Sequence, residues 1–410
     1  MSGIPSAIFS TFFSLWWMYV PLILFLIFRD VWLKWRRDIF VKSLTWTTLD
    51  VRIPETVEKT PKAMEQVFSG LHAILDEPKF HEKWFQGKVQ LWISFDIVGL
   101  EGGVAFFVRF PSQFRNLVEA QIYAQYPQAE ITEVEDYTQF LPEHLPDKDY
   151  ELWGSELQLT KEDAYPIRTY PAFEETQEER RIDPISAIAE ALSKLQGGEQ
   201  VWVQMVIRPV DEKWREAGEK IVSRLIGKRE PEKEPSVVRQ FTENLLKAPY
   251  QVPEWGAKKD EKEKPVSLMQ FLSPGERAVV EAIEINISKL GFEAGIRFLY
   301  VAKREVFNKV RVAEIIGAFR LFNTQNLNGF KPNKKVSTAA RFPGKGRREF
   351  LRKIRIWDRA RKHKFTKEPF IFNTEELATV YHYPSFIVQA PVVPRVEAER
   401  GAPPITLPTE

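Results

Sequence analysis

The sequence predicts an α+β protein carried on an N-terminal membrane-spanning helix, with ferredoxin-like (split βαβ) modules and a proline-rich C-terminal arm. Three observations point there. Residues 8–28 (IFSTFFSLWWMYVPLILFLIF) form an uncharged run of 21 residues ahead of Arg29, the first charged side chain. Segments of alternating, β-branched character then interleave with amphipathic segments in the order strand, helix, strand, strand, helix, strand. Finally, charged or proline-rich stretches without periodicity fall at 228–265 and after 387.

A helix rises about 1.5 Å per residue, so the apolar run matches the roughly 30 Å hydrocarbon core of a bilayer. Pro21 is tolerated inside such a span. A secretory signal is disfavoured, because MSGIPSA carries no basic residue and bulky side chains run up to the charges. Arg29, Lys34, Arg36 and Arg37 follow the span and no charged side chain precedes it. The positive-inside rule therefore predicts a single-pass protein of the inner or plasma membrane, N-terminus outside and bulk cytoplasmic. Trp32 and Trp35 suit the interface, and residues 1–43 are taken as anchor and juxtamembrane helix.

Residues 44–140 form the first α+β unit. A strand is predicted at 44–53, and Thr60-Pro61 opens a helix with Met64, Val67, Phe68, Leu71 and Leu75 on one face. Strands 88–98 and 103–110 meet around Gly99–Gly102, a helix covers 112–126, and 129–136 reads as an edge strand. Residues 150–330 are expected to repeat the theme in rearranged form. Strands are predicted at 151–160, 164–170, 200–208 and 294–303. Helices follow Asp183-Pro184, cover 211–226 and 308–322, and start at the capping box Ser273–Glu276, with Gly291 as C-cap. The insertion at 228–265 reads as flexible, with a short helix at 236–247. A basic segment (331–367) contains a helix near 346–363, and 368–410 holds a short helix opened by Asn373–Glu376 and an extended arm.

Composition limits the chemistry. There are no cysteines, which excludes disulfides and thiolate metal sites. The five histidines (His72, His81, His144, His363 and His382) lack metal-binding helical spacing. Phosphate-loop, dinucleotide-loop and nucleophile-elbow patterns are missing, and Glu174-Glu175 and Glu178-Glu179 read as solvated carboxylates. Neither an enzymatic activity nor a cofactor is expected.

Charge carries more information than the net value of +2. Residues 127–183 hold 16 acidic against 5 basic side chains, and residues 331–367 hold 15 basic against 2 acidic. Arg348, Arg352, Arg355 and Arg359 fall on one helical stripe, with Phe350, Ile354, Trp357 and Arg361 on another face. Together with Arg347, Lys353 and Lys362 these form a candidate site for nucleic acid or an acidic partner. Phe342, Trp357 and Phe365 are candidates for stacking on bases. The same stripe suits anionic lipid, the acidic 127–183 region of the chain itself, or solvent.

The segment Phe372-Asn373-Thr374-Glu375-Glu376-Leu377-Ala378-Thr379-Val380-Tyr381-His382-Tyr383-Pro384 is followed by Arg400-Gly401-Ala402-Pro403-Pro404 and Leu407-Pro408. It resembles the stretch just before the motor domain in HerA-like coupling ATPases of conjugation and type IV secretion. In that family an Asn-Thr-Glu-Glu-Leu helix ends in His-x-Pro, and a basic-Gly-x-Pro-Pro stretch leads into the motor. The sequence stops at Glu410, where the family's phosphate loop would begin, so nucleotide binding carries over to no residue here. The resemblance implies either a membrane-anchored subunit of a DNA-translocation system that recruits a HerA-like ATPase encoded elsewhere, or a piece of such a coupling protein truncated before its motor domain. It assigns docking to Asn373, Glu375, Glu376, Tyr381, His382, Pro403 and Pro404. Implied partners are the membrane, that ATPase, DNA and further copies of the chain. The alternative is a cell-envelope scaffold that assembles through its α+β domains and touches no nucleic acid.

Overall fold

The computed structural model describes residues 16–54, 59–100, 103–173, 183–227, 272–340, 342 and 344–384. The insertion at 228–265, with its expected short helix, and the arm after 387 lie outside these residues, as do the glutamate pairs of 174–179.

Helix α1 (Trp16–Ser43) contains Pro21 and buries none of its residues. By length and composition it is able to cross a membrane. Its apolar stretch exposes Leu22, Ile23, Leu24, Phe25 and Phe28 all round.

The first unit contains β1 (Trp46–Arg52), α2 (Pro61–Leu71), β2 (Ile93–Leu100), β3 (Gly103–Pro111), α3 (Arg115–Gln125) and β4 (Glu130–Val134). Thr60 stands at the N-cap of α2 without a side-chain cap bond, so proline at the first helical position sets this helix start. The four strands run β4-β1-β3-β2, all antiparallel, with β3 between the two strands that α2 connects. The expected edge strand is indeed at the edge.

The second unit contains β5 (Tyr150–Leu159), α4 (Ser186–Ser193), β6 (Glu199–Pro209), α5 (Lys213–Leu225), α6 (Pro274–Ile287), β7 (Gly291–Lys303), α7 (Lys309–Phe319) and β8 (Phe330–Pro332). Its strands run β6-β7-β5-β8, the first unit's order taken from the other end. The helices α5 and α6 stand where the first unit has a hairpin. Both units join into one sheet through β2 and β6, antiparallel from Ile93↔Ile207 to Leu100↔Gln200. The last elements are α8 (Lys345–Arg361), β9 (Phe370–Asn373) and α9 (Thr374–Val380). β5 pairs with β7 from Arg297 to Lys303, and β9 takes the remaining stretch from Gly291 to Ala294.

Several expectations are corrected. Residues 164–170 form no strand. The Ile167 N–H donates to Glu376 Oε1 and the Tyr170 N–H to Thr379 Oγ1, so side chains of α9 take the place of a ladder. Gly291 is the first residue of β7 rather than a helix cap; its carbonyl accepts from the Val210 N–H. The strand expected from residue 88 begins at Ile93.

Side chains alternate along the strands and both faces are covered. On one face Phe95, Val203, Phe298 and Tyr300 meet α2, α3, α4, α7 and α9 in the main core. On the other, Val98, Phe107, Trp202, Leu299 and Val301 meet α8 and the 137–145 segment. α5 and α6 pack separately through Val222, Ile226, Val280 and Ile283.

Candidate docking helix

α8 seats its inner side on β5 and the turn around Tyr137. Ile356, Trp357 and Ala360 are buried there. Trp357 packs on Trp202 with ring centroids 5.2 Å apart, and its ring N–H donates to the Glu143 carbonyl at 3.0 Å. Gly154 lets the helix sit close: a Cβ there would lie 3.0 Å from Ile356 Cδ1 and 3.2 Å from the Phe298 carbonyl oxygen, a tight fit.

The basic stripe divides into two sets. Arg352 donates to the carbonyls of Ser337 and Ala339 at 3.0 and 2.7 Å. Lys353 pairs with Glu151 at 2.7 Å, and Arg359 with Glu156 at 3.0 Å. Arg361 reaches the Leu141 carbonyl, and Lys362 pairs with Asp358. These five already have partners in the acidic half of the chain, in the segment just before the helix or in the helix itself. Trp357 is withdrawn as a base-stacking candidate because it is core. Phe365 sits beneath the Arg208 guanidinium, 4.2 Å from its ring centroid, and is half-buried.

The outer set is Arg347, Arg348 and Arg355. All three are exposed, and among the described residues none has an ion-pair partner. They share the outer face with Phe350, Leu351 and Ile354, which are also exposed. Phe342, just before the helix, is 90% exposed. Beside the N-terminal half of α8 lies a cleft of about 530 Å³ lined by Lys309, Lys345, Lys353, Arg304, Glu151 and Glu349. Glu151 already engages Lys353 and Arg304, which leaves Lys309 and Lys345 as its free cations among the described residues.

A buried polar cluster fixes the other end of the helix. His363 follows α8 with φ +44° and is closed to solvent. Its Nδ1 lies 3.2 Å from Asp96 Oδ2 and its Nε2 3.3 Å from Asp136 Oδ1. Ser94 Oγ donates to Asp96 Oδ1 at 2.5 Å, and the Tyr137 hydroxyl donates to Asp96 Oδ2 at 3.0 Å. Arg109 pairs with Asp136, and Gln204 Nε2 donates to the Tyr137 hydroxyl and the Ala360 carbonyl. Trp92 donates its ring N–H to the His363 carbonyl at 2.9 Å. Burial acts to lower the His363 pKa, but the charge of Asp96 and the bonds to both aspartates outweigh it and raise the value. Burial acts to raise Asp136, yet His363 and Arg109 hold its carboxyl below the ordinary range. The His363 ring is thus held between the Asp96 and Asp136 side chains. Among the described residues of the cluster, Gln204 Oε1 is the buried side-chain atom without a hydrogen-bond partner, and the rest form a paired network that suits a rivet.

Four of the residues assigned to ATPase docking are interior. Asn373 and Glu376 form the expected capping box, but both are buried, as are Tyr381 and His382. His382 Nε2 lies 2.9 Å from Asp183 Oδ1, and Tyr381 packs edge-on against Phe95. Glu375 shares Lys289 with Glu65. Burial pushes the Glu376 carboxyl up to about 8, against bonds from the Asn373 and Ile167 N–H groups that pull it down. Asn373, Glu376, Tyr381 and His382 are buried in the helical layer, whereas Glu375 is partly exposed. Pro403 and Pro404 lie outside the described residues.

A family model described as a domain of unknown function, DUF8128, matches residues 39–395. The chain belongs to this family. The DUF8128 match takes in the whole sheet, α8 and the buried cluster, and starts near the C-terminal end of α1. None of the curated proteins matches the chain.

Sequence reasoning missed the buried cluster. Ser94 and Asp96 alternate with Ile93, Phe95 and Ile97, a pattern that ordinarily means one wet face. The available signal was the large apolar residues on the same face, Val98, Phe107, Trp202 and Leu299, which need a cover.

Proposed function

We propose that this chain is a non-enzymatic, membrane-anchored subunit of a DNA-translocation apparatus of the conjugation or type IV secretion kind. It holds a partner at the cytoplasmic face of the plasma membrane, with α1 as the single span and the N-terminus outside. The observation that carries the reading is the outer face of α8. Three arginines without ion-pair partners among the described residues stand on a helix whose inner side is pinned by ion pairs and a buried tryptophan. Such a pre-ordered cationic face suits a polyanion.

Its position favours a cytoplasmic partner over lipid. β1 starts at Trp46, directly after α1, and β7 begins at this same end, where Phe292 pairs with Pro209. β7 then runs roughly 40 Å away at about 3.3 Å per residue. Its far end at Lys303 pairs with Tyr150, next to the Glu151 that anchors Lys353. The exposed N-terminal half of α8 is therefore distal to α1.

Recruitment of a HerA-like ATPase then falls to the outer face of α8 or to the arm beyond Pro384, because Asn373, Glu376, Tyr381 and His382 are core. A second reading is favoured by Phe350, Leu351 and Ile354. Apolar side chains between the arginines gain from burial against an acidic protein but gain nothing from a duplex backbone.

The test uses full-length protein purified in detergent. Fluorescently labelled single- and double-stranded DNA are titrated at several salt concentrations, beside the variant Arg347→Glu/Arg348→Glu/Arg355→Glu. Expected are binding that weakens steeply with salt and its loss in the variant, with an ATPase recovered from cells by the wild type. DNA binding unchanged by the triple reversal sinks the role of α8. No DNA binding at low salt together with no ATPase recovered sinks the whole reading and leaves the envelope scaffold.

A further inference from the structure

The short segment between α2 and β2 makes a joint with α1. The Trp32 ring N–H donates to the Trp84 carbonyl at 3.0 Å, and the Arg36 guanidinium donates to the Phe85 carbonyl. The backbones are close: Gly87 has φ +73°, and a Cβ there would lie 2.3 Å from the Arg36 carbonyl oxygen. The single turn Glu82–Gln86 is thus locked against the helix four to eight residues beyond Phe28, the last residue of the uncharged run. At about 1.5 Å per residue that is roughly 6–12 Å past the end of the run. The headgroup zone on each side of a bilayer is about 5–8 Å deep, so the turn falls in it or at its outer edge.

Its side chains match that zone. Phe80 is 73% exposed and Phe85 57% exposed. The Phe80 and Trp84 rings lie 5.5 Å apart in a tilted pair, and Trp32 lies 5.3 Å from Trp35. Lys79 and Lys83 flank the aromatics and are exposed. Aromatic rings beside basic side chains are the usual furniture of the membrane interface.

We propose that residues 79–86 form a second membrane contact. Phe80 and Phe85 enter the headgroup–acyl boundary of the leaflet from which α1 emerges. This rests on the reading of α1 as a membrane span. A span alone leaves the body free to rotate and tilt about a single tether. Two attachment points locked by the Trp32 and Arg36 bonds set which way the sheet, and with it α8, faces the cytoplasm.

The chain has no cysteine, so single cysteines can be labelled without background. Phe80→Cys, Phe85→Cys, Val310→Cys and Leu24→Cys are each made in the full chain, labelled with a polarity-sensitive fluorophore and reconstituted in liposomes. Val310 is an exposed control at the start of α7, beyond the far end of β7. Leu24 lies inside the apolar run. Each label is challenged with aqueous iodide and with lipids carrying a spin-label quencher. The expected result is quenching of positions 80 and 85 by the lipid quencher and at least threefold protection from iodide relative to position 310. If position 24 lies in lipid while 80 and 85 are as open to iodide as 310, the second contact is wrong and the anchor stands. If position 24 is also open to iodide, the anchor reading fails and takes this proposal with it.

Discussion

Arg359 places its Nη1 3.0 Å from Glu156 Oε1; the glutamate is buried and the arginine partly so. The most basic segment of the chain is thus joined to its most acidic one inside the molecule. Removing the arginine would strand a buried carboxylate that also accepts from Thr366. Arg359→Ala is expected to cost about 3 kcal/mol, the low end for breaking a buried pair, because buried Arg297 still bears on Glu156. Arg355→Ala, on the exposed face, is expected to stay within about 0.5 kcal/mol. Chemical denaturation of the two variants checks the contrast, and equal costs would refute the division of the stripe.

The His363 clamp predicts a pH dependence. Its pKa is raised in the folded protein above 6.5, so its contribution is complete below pH 6.5 and disappears as pH rises through the folded value. Each unit of elevation is about 1.4 kcal/mol. Melting temperature should fall from pH 6.5 upward, and Asp136→Asn should lower stability at pH 6 and flatten that fall. A slope unchanged by Asp136→Asn would show that the clamp does not carry the charge.

Glu376 acts over a lower window. Its folded value of about 8 exceeds the ordinary 4.5, so the folded state holds its proton more tightly and stability declines between pH 4.5 and 8. Glu376→Gln cannot ionise and is expected to remove this share of the decline, although its amide pairs less well with the Asn373 N–H. Parallel melts at pH 5, 6.5 and 8 measure it; curves that stay parallel would mean that Glu376 is ionised throughout.

Trp357 tests the seating of α8. Truncation to alanine empties a site packed on Trp202 and is expected to cost about 3–5 kcal/mol. Phe350→Ala, half-exposed on the outer face, is expected to leave the melt unchanged and to weaken partner binding instead. Near-ultraviolet circular dichroism of both variants distinguishes loss of packing from loss of surface.

The α+β class, most helix and strand positions and both capping boxes were legible in the chain, because periodicity and cap chemistry are local. The Asn373–Glu376 box is the instructive case. Its bonds form as read, yet the motif lies inside the body. A capping box reports where a helix starts and carries no information about what packs on that helix.

By itself the sequence determined the apolar span, the strand and helix periods and the separation of charge, since each depends on near neighbours along the chain. Only the tertiary structure decided that the two units share one sheet through β2 and β6, that α8 covers its second face, and which arginines face outward. The physical reason is that helix periodicity places Arg352 and Arg359 on the same stripe as Arg348 and Arg355. What separates them is acceptors brought from far along the chain: the Ser337 and Ala339 carbonyls for Arg352, and Glu156 on β5 for Arg359.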